Sequence, residues 1–191
     1  VRGTVFWLAA HVTTVALRYP GTCFAGGLGV LYILFGVLGR RMDLALERNL
    51  TRMIYGIVCF ARLLSFTGTV LGGLWADDSW GRFWGWDPKE VWALISLLIY
   101  LAFLHARQAG WLNNFGMVAA TIFGFTMIMM SWVGVNFGLP MLSDTGSVGL
   151  HSYGAGNNAA SAIGGVVLVV TLNWAFMFVA WVRYKAGIVA S

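Results

Sequence analysis

The sequence predicts an all-α integral membrane protein, a bundle of about five transmembrane helices with its N-terminus outside and its C-terminus cytoplasmic. Of the 191 residues 59% are hydrophobic and only 10% are charged, where an ordinary globular domain carries about 25% charge. The apolar residues also gather into continuous runs close to the roughly 20 residues that cross a bilayer. These runs fall at 12–38, 53–74, 91–104, 115–135 and 159–182, the third being short. A β-barrel would need alternating segments of about 10 residues, and these runs do not alternate.

Taken in order, the first run follows His11 and contains Arg18 and Cys23. The connection RRMDLALERNLTR (40–52) has the charges of an interfacial amphipathic turn or helix that anchors and orients. The second run contains Cys59 and Arg62. The two cysteines lack CxxC spacing and read as buried packing residues, so no disulfide or zinc framework is encoded. Charges at the depth of Arg18 and Arg62 rarely face lipid. Arg18 lies seven residues after His11 and so roughly beneath it. Both arginines read as partners of carboxylates, of a bound ligand or of the chain; the alternative is snorkelling for Arg18 and an internal polar contact for Arg62.

The third run has a defined start. Asp87, Pro88 and Glu90 fit an N-cap, a proline at the first helical position and a glutamate three residues after the cap. His105 follows Asp87 by 18 residues, about five ideal turns and so on the same face about 27 Å away. An ionisable residue at that depth is a functional candidate. After the fourth run comes a loop rich in Gly, Ser and Asn, NFGLPMLSDTGSVGLHSYGAGNN (136–158), with His151 inside it.

Lys and Arg accumulate in cytoplasmic connections. One side carries Arg40, Arg41, Arg48, Arg52, Arg107, Arg183 and Lys185; the other carries Arg2, Arg82 and Lys89 beside Asp77, Asp78, Asp87, Glu90 and Asp144. This asymmetry sets the predicted orientation and turns the tryptophan loop toward the periplasm, a lumen or the extracellular space. It also accounts for the sequence pI of 9.6 without a nucleic-acid partner; the lipid bilayer is the partner that composition implies. No repeat or soluble domain interrupts residues 1–191, which read as a single transmembrane domain with outer loops at 75–90 and 136–158. Val1 opens it with no basic leader, so the chain reads as part of a longer protein or complex.

WGRFWGWDPKEVW (80–92) places four tryptophans in thirteen residues, and Trp75 makes five by Trp92. Tryptophan belts occur wherever helices leave a membrane, which is one reading. The other is a platform for a planar ligand, with Trp80, Trp84 and Trp86 on a common surface and Gly81 and Gly85 letting backbone approach a flat ring. His11 and His151 lie at the same outer level. Neutral imidazole is the commonest metal ligand and haem iron accepts axial histidine, so the pair suits a bis-histidine haem; solvated interfacial histidines are the alternative.

WGRFWGWDPKEVWALI resembles the tryptophan-rich signature of the WWD-domain proteins that handle haem in cytochrome c biogenesis, and its DPKE continuation is similar to the CcsA/ResC branch. HV at His11 and Val12, LHAR ending at Arg107 and GLHSYG (149–154) agree with that branch, in order, over residues 6–154. Family members extend further on the N-terminal side. The resemblance implies that Trp80, Trp84, Trp86 and Asp87 belong to an outer haem platform and that His11 and His151 are the axial ligands of the haem iron. It implies for His105 a place in a transmembrane pair that receives haem from the cytoplasmic side, the second histidine lying on an earlier helix that this chain lacks.

The implied function is the haem-binding core of a cytochrome c synthase, or haem lyase. It would present reduced haem b, as substrate, for thioether attachment to the CxxCH motif of apocytochrome c, beside a CcsB/ResB-type membrane partner. The implied location is a bacterial inner (plasma) or thylakoid membrane, with the site on the periplasmic or lumenal side. The alternative is a haem transporter or chaperone-loading membrane protein without ligation activity.

Overall fold

A computed structural model describes residues 2–38, 42–143, 149–151 and 159–186. Arg40, Arg41, Asp144 and the 152–158 portion of the second outer loop lie outside the described residues. The regular elements are α1 (Arg2–Val37), α2 (Leu44–Trp80), α3 (Pro88–Gln108), α4 (Asn114–Met129), a π-helical segment (Met130–Gly138), α5 (Leu139–Leu142) and α6 (Ala159–Lys185). All-helical structure is what a bilayer demands, since a helix satisfies its own backbone polar groups. Among the described residues, four stretches are long and apolar enough to cross one: Leu44–Trp80, Pro88–Gln108, Asn114–Leu142 and Ala160–Lys185.

α1 and α2 form an antiparallel pair. Gly68 and Gly72 of α2 let α1 come close: a Cβ on Gly68 would stand 2.9 Å from Val15 Cγ2, and one on Gly72 only 2.6 Å from His11 Cε1. Small residues serve membrane helices in this way, because close backbone approach maximises dispersion where no hydrophobic effect drives association. Ile33, Ile54, Val58, Tyr100, Met117, Val118 and Ile122 form the centre of the core, between α1, α2, α3 and α4. α6 rests against α1, α4 and the π segment and leaves Val167, Leu168, Leu172 and Phe178 exposed.

Several predicted boundaries move. α2 begins at Leu44, so most of the 40–52 connection is helical and continuous with the second run, and Glu47 and Thr51 are buried. Tyr32 of α1 donates to Glu47 Oε1 at 3.1 Å, and Asn114 Nδ2 donates to the same oxygen at 2.9 Å. The charge is therefore absorbed inside the bundle, which a hydropathy reading of the segment cannot register. Trp75, placed in the outer loop by sequence, belongs to α2, and the connection shrinks to residues 81–87. His11 lies well inside α1, which starts at Arg2. Cys23 is exposed and Cys59 half-buried, against the expectation of two buried thiols; an apolar side chain in a membrane bundle faces lipid as readily as core.

Residues 136–142, expected as loop, remain helical. Pro140 lacks an N–H and its ring collides with the carbonyl four residues earlier, so an α ladder does not run through it. The wider π winding ends with the Leu139 N–H bonded to Gly134 O. This winding carries Ser131 and Asn136 to the side of α3 on which Lys89 lies, and Lys89 Nζ donates to Asn136 Oδ1 at 2.7 Å.

Candidate functional site

The end of the bundle where α2 stops contains a cavity of about 210 Å³. His11, Val15, Arg18 and Tyr19 line it from α1, a spacing of four, seven and eight residues that forms one helical stripe. Thr69, Gly72 and Gly73 face them from α2, and Ser131 closes the side toward the π segment. The roof is Phe83 and Trp84 of the connection together with His151.

That connection is held at both ends. Gly81, at φ 70°, terminates α2 with its N–H on Asp77 O, the left-handed cap that glycine adopts freely. At the other end Asp87 and Glu90 form the predicted capping box. Asp87 Oδ1 accepts from Lys89 N at 2.9 Å and Glu90 N at 3.1 Å. Glu90 Oε2 accepts from Gly85 N at 2.8 Å and Asp87 N at 3.2 Å. Between the caps Trp86 stands at φ 59°, a left-handed conformation that costs a bulky residue about 1–2 kcal/mol. Its indole is 69% exposed.

The tryptophans do not lie side by side. Trp84 and Trp86 meet edge to face at 85° with centroids 6.0 Å apart, and Trp75 and Trp80 cross at 69° and 4.7 Å. Trp80 in turn packs edge-on against the His151 ring at 5.0 Å. The predicted common surface is thus a set of walls, with Trp84 on the cavity, Trp80 behind His151 and Trp86 outside.

Both histidines have their Nδ1 engaged. His11 Nδ1 is 2.7 Å from Gly68 O, and His151 Nδ1 is 2.5 Å from Asp87 Oδ2. A carbonyl and a carboxylate only accept, so Nδ1–H donates in both, and in the neutral ring the lone pair lies on Nε2. This arrangement, one ring nitrogen fixed by an oxygen acceptor and the other free, is the one that metal-ligating histidines adopt. Burial alone pushes the Asp87 carboxyl up. The hydrogen bond from His151, aided by the N–H groups of Glu90 and Lys89, outweighs it and holds the carboxyl below its usual value.

Asp87, Glu90 and His151 bring ligand atoms within 4.8 Å of one another. The capping bonds nevertheless occupy Asp87 Oδ1 and Glu90 Oε2, and His151 occupies Asp87 Oδ2. These bonds orient the imidazole of His151.

His11, His151, Trp80, Trp84 and Asp87 are brought together here. His105 is not: it stands exposed in the last turn of α3, with Nδ1 2.7 Å from Leu101 O. Arg62 is buried deeper in the bundle, donating to Thr22 Oγ1 at 2.7 Å and lying 4.1 Å from the Tyr100 ring centroid. Lys89, Ser131 and the two α2 glycines were not singled out as site residues from the sequence. Gly68-Thr69-Val70-Leu71-Gly72 is a GxxxG spacing, the signal that marks a close helix pair in a membrane; nothing in the sequence marks Ser131.

A helical membrane bundle with two imidazoles converging on one aromatic-roofed cavity defines a class of membrane proteins with a built ligand site. Residues 4–142 match the family described as cytochrome C assembly protein, and the chain belongs to that family. It is 35% identical over 161 residues to Protein NrfI of Wolinella succinogenes, covering 80% of this chain and 16% of that protein. It is 33% identical over 175 residues to the cytochrome c biogenesis protein CcsA of Prochlorococcus marinus subsp. pastoris, covering 78% of this chain and 53% of the relative. A second CcsA, from Prochlorococcus marinus strain SARG, is 42% identical over 109 residues, covering 56% of this chain and 32% of that protein. The chain thus spans about half, or less, of the length of these relatives.

Proposed function

We propose that residues 1–191 are the haem-binding core of a cytochrome c synthase, a single transmembrane haem-handling domain that presents reduced haem b for attachment to the CxxCH cysteines of apocytochrome c. The observation that carries this reading is the pair of imidazoles in one cavity, His11 and His151, each with Nδ1 fixed and with no hydrogen bond to Nε2 among the described residues. Two such nitrogens suit the two axial positions of a haem iron. Family membership supports the role in cytochrome c biogenesis.

Haem brings the reacting groups, two vinyls, and each thioether arises by addition of a thiol S–H across a vinyl C=C. The chain's contribution is position. Gly68 O and Asp87 fix the rotation of the two imidazoles, and Trp80 backs the His151 ring edge-on. Holding the iron from both faces fixes the vinyl groups against incoming thiols, the kind of orientation that removes much of the entropic barrier to a bimolecular step. Trp84 and Trp86 form the rest of the platform. The Lys and Arg asymmetry supports an outward placing of the site, toward the periplasm or a thylakoid lumen, and a CcsB/ResB-type membrane partner completes the enzyme. His105, exposed at the far end of α3, belongs to the route by which haem arrives from the cytoplasmic side.

The test is the reduced-minus-oxidised visible spectrum of the purified chain, recorded beside a His11→Ala, His151→Ala double variant. Low-spin bands present in the first and absent from the second support the assignment; bands that survive in the double variant refute it. Assembled with its partner, the same double variant loses covalent cytochrome c product, an outcome that a transporter without ligation activity does not share.

A further inference from the structure

Two cations, Arg18 and Lys89, line the cavity together with Glu90. Arg18 is 4% exposed; one terminal nitrogen donates to Tyr19 Oη at 3.0 Å and its Nε has no partner. Lys89, half-buried, uses Asn136 as an acceptor, which leaves two of the three ammonium donors. Among the described residues the ion pair is His151–Asp87; Asp87 favours the Lys89 charge from beyond salt-bridge distance, and no described carboxylate pairs with Arg18. Glu90, the acid nearest Lys89 in sequence, is committed to the backbone of Gly85 and Asp87. Among the described residues five buried side-chain atoms lack a hydrogen-bond partner, and three of them, Arg18 Nε, Trp84 Nε1 and Ser131 Oγ, belong to residues lining this one cavity. Buried charges persist when something pairs them, and orphaned donors collected in one place point to an acceptor that arrives with a ligand.

Size adds a second constraint. About 210 Å³ is less than the roughly 300–1,000 Å³ of a site that encloses a small ligand, so a tetrapyrrole enters by one edge and leaves the opposite edge outside. Haem has two chemically distinct edges, one with two propionates and the other with the two vinyls.

Building on the haem reading above, we propose that Arg18, Lys89 and Ser131 form a carboxylate-binding floor that takes the haem propionates, seating the ring propionate edge inward and vinyl edge outward. The guanidinium fork suits a carboxylate, and its place two turns below His11 on the same stripe of α1 sets it directly under an axial ligand. The vinyl edge then emerges beside exposed Trp86, where thiols of a second protein reach it without entering the membrane. The same cations exclude a ring turned the other way, since that would bury two apolar vinyls against uncompensated charge.

The experiment is a titration of the purified full chain with iron protoporphyrin IX and with its dimethyl ester, followed by the Soret band. The wild-type chain is expected to bind the free acid about tenfold or more tightly than the ester, the scale of a lost charged hydrogen bond. Arg18→Gln is expected to weaken the acid by that factor and leave the ester unchanged, with low-spin bands kept in both. Lys89→Met is expected to give the same selective loss and serves if the Arg18 variant fails to fold. Equal affinity of the wild type for acid and ester, or a variant that weakens both ligands alike, would overturn the proposal. Absence of low-spin bands with either ligand would overturn the haem reading on which it rests, and that result is distinguishable from the first two.

Discussion

Replacing Asp87 by asparagine separates the two jobs of this side chain. In the native protein Oδ1 caps α3 through two backbone N–H groups while Oδ2 accepts from His151 Nδ1. Asparagine caps about as well as aspartate, so its carbonyl takes the place of Oδ1 and its NH₂ confronts His151. Two donors cannot pair, so the imidazole must give up its Nδ1 proton and carry one on Nε2, the atom that has to be bare to bind iron. Loss of such an orienting partner costs about 10–100-fold in metal affinity, or roughly 1.4–2.7 kcal/mol. Haem affinity of Asp87→Asn should fall by that factor, while its stability in detergent stays within about 1 kcal/mol of wild type because the cap persists. Asp87→Ala, losing the cap as well, should cost about 1 kcal/mol more.

Paired Soret titrations and denaturation curves decide the matter. An Asp87→Asn protein with wild-type haem affinity would refute the tautomer reasoning. So would a loss of affinity matched by a collapse in stability equal to that of Asp87→Ala. The pH dependence has a definite sign. The folded carboxyl lies below its ordinary value, so its stabilisation is fully present above the unfolded value of about 4 and is lost as pH falls through the folded one. The wild type should therefore lose more stability than Asp87→Asn below about pH 4, and the two should run parallel from there to neutrality.

Other expectations follow from single contacts. Gly72→Val would place a Cβ 2.6 Å from His11 Cε1 and 2.7 Å from Nδ1, displacing the ring from Gly68 O; low-spin bands should be lost, checked by the same spectra. Gly124→Ala would place a Cβ 2.2 Å from Tyr100 Cζ, an overpacking cost of about 1–3 kcal/mol far from the cavity; the melting temperature should fall while haem affinity per folded molecule stays unchanged. Trp86→Gly relieves the left-handed backbone by about 1 kcal/mol, so the melting temperature should not drop even though an exposed platform ring is gone. Arg62→Met replaces a buried guanidinium that has two unpartnered nitrogens, and such exchanges are neutral or stabilising; a loss of more than about 1 kcal/mol would show that the Tyr100 and Thr22 contacts outweigh desolvation.

The sequence by itself determined the helical membrane class, because unbroken apolar runs have no other satisfactory solution in a bilayer. It also determined the start of α3: Asp87, Pro88 and Glu90 act through bonds within four residues, and local chemistry of that kind is legible without a fold. Helix ends were legible only where such signals exist. Asp43 at the N-cap of α2 and Pro140 after the π winding are local marks, but neither tells that Glu47 is accommodated by Tyr32 and Asn114 from other helices or that Ser131 is brought to the cavity. His11 and His151 were legible as candidates and not as partners. Only the tertiary structure brings them to one cavity 140 residues apart in the chain, gives each Nδ1 an acceptor, and gathers Arg18, Lys89 and Ser131 in its lining. The physical reason is range: caps and hydropathy act over a few residues, whereas the charge balance and hydrogen bonding of a cavity are sums over several helices and come into being only when those helices pack.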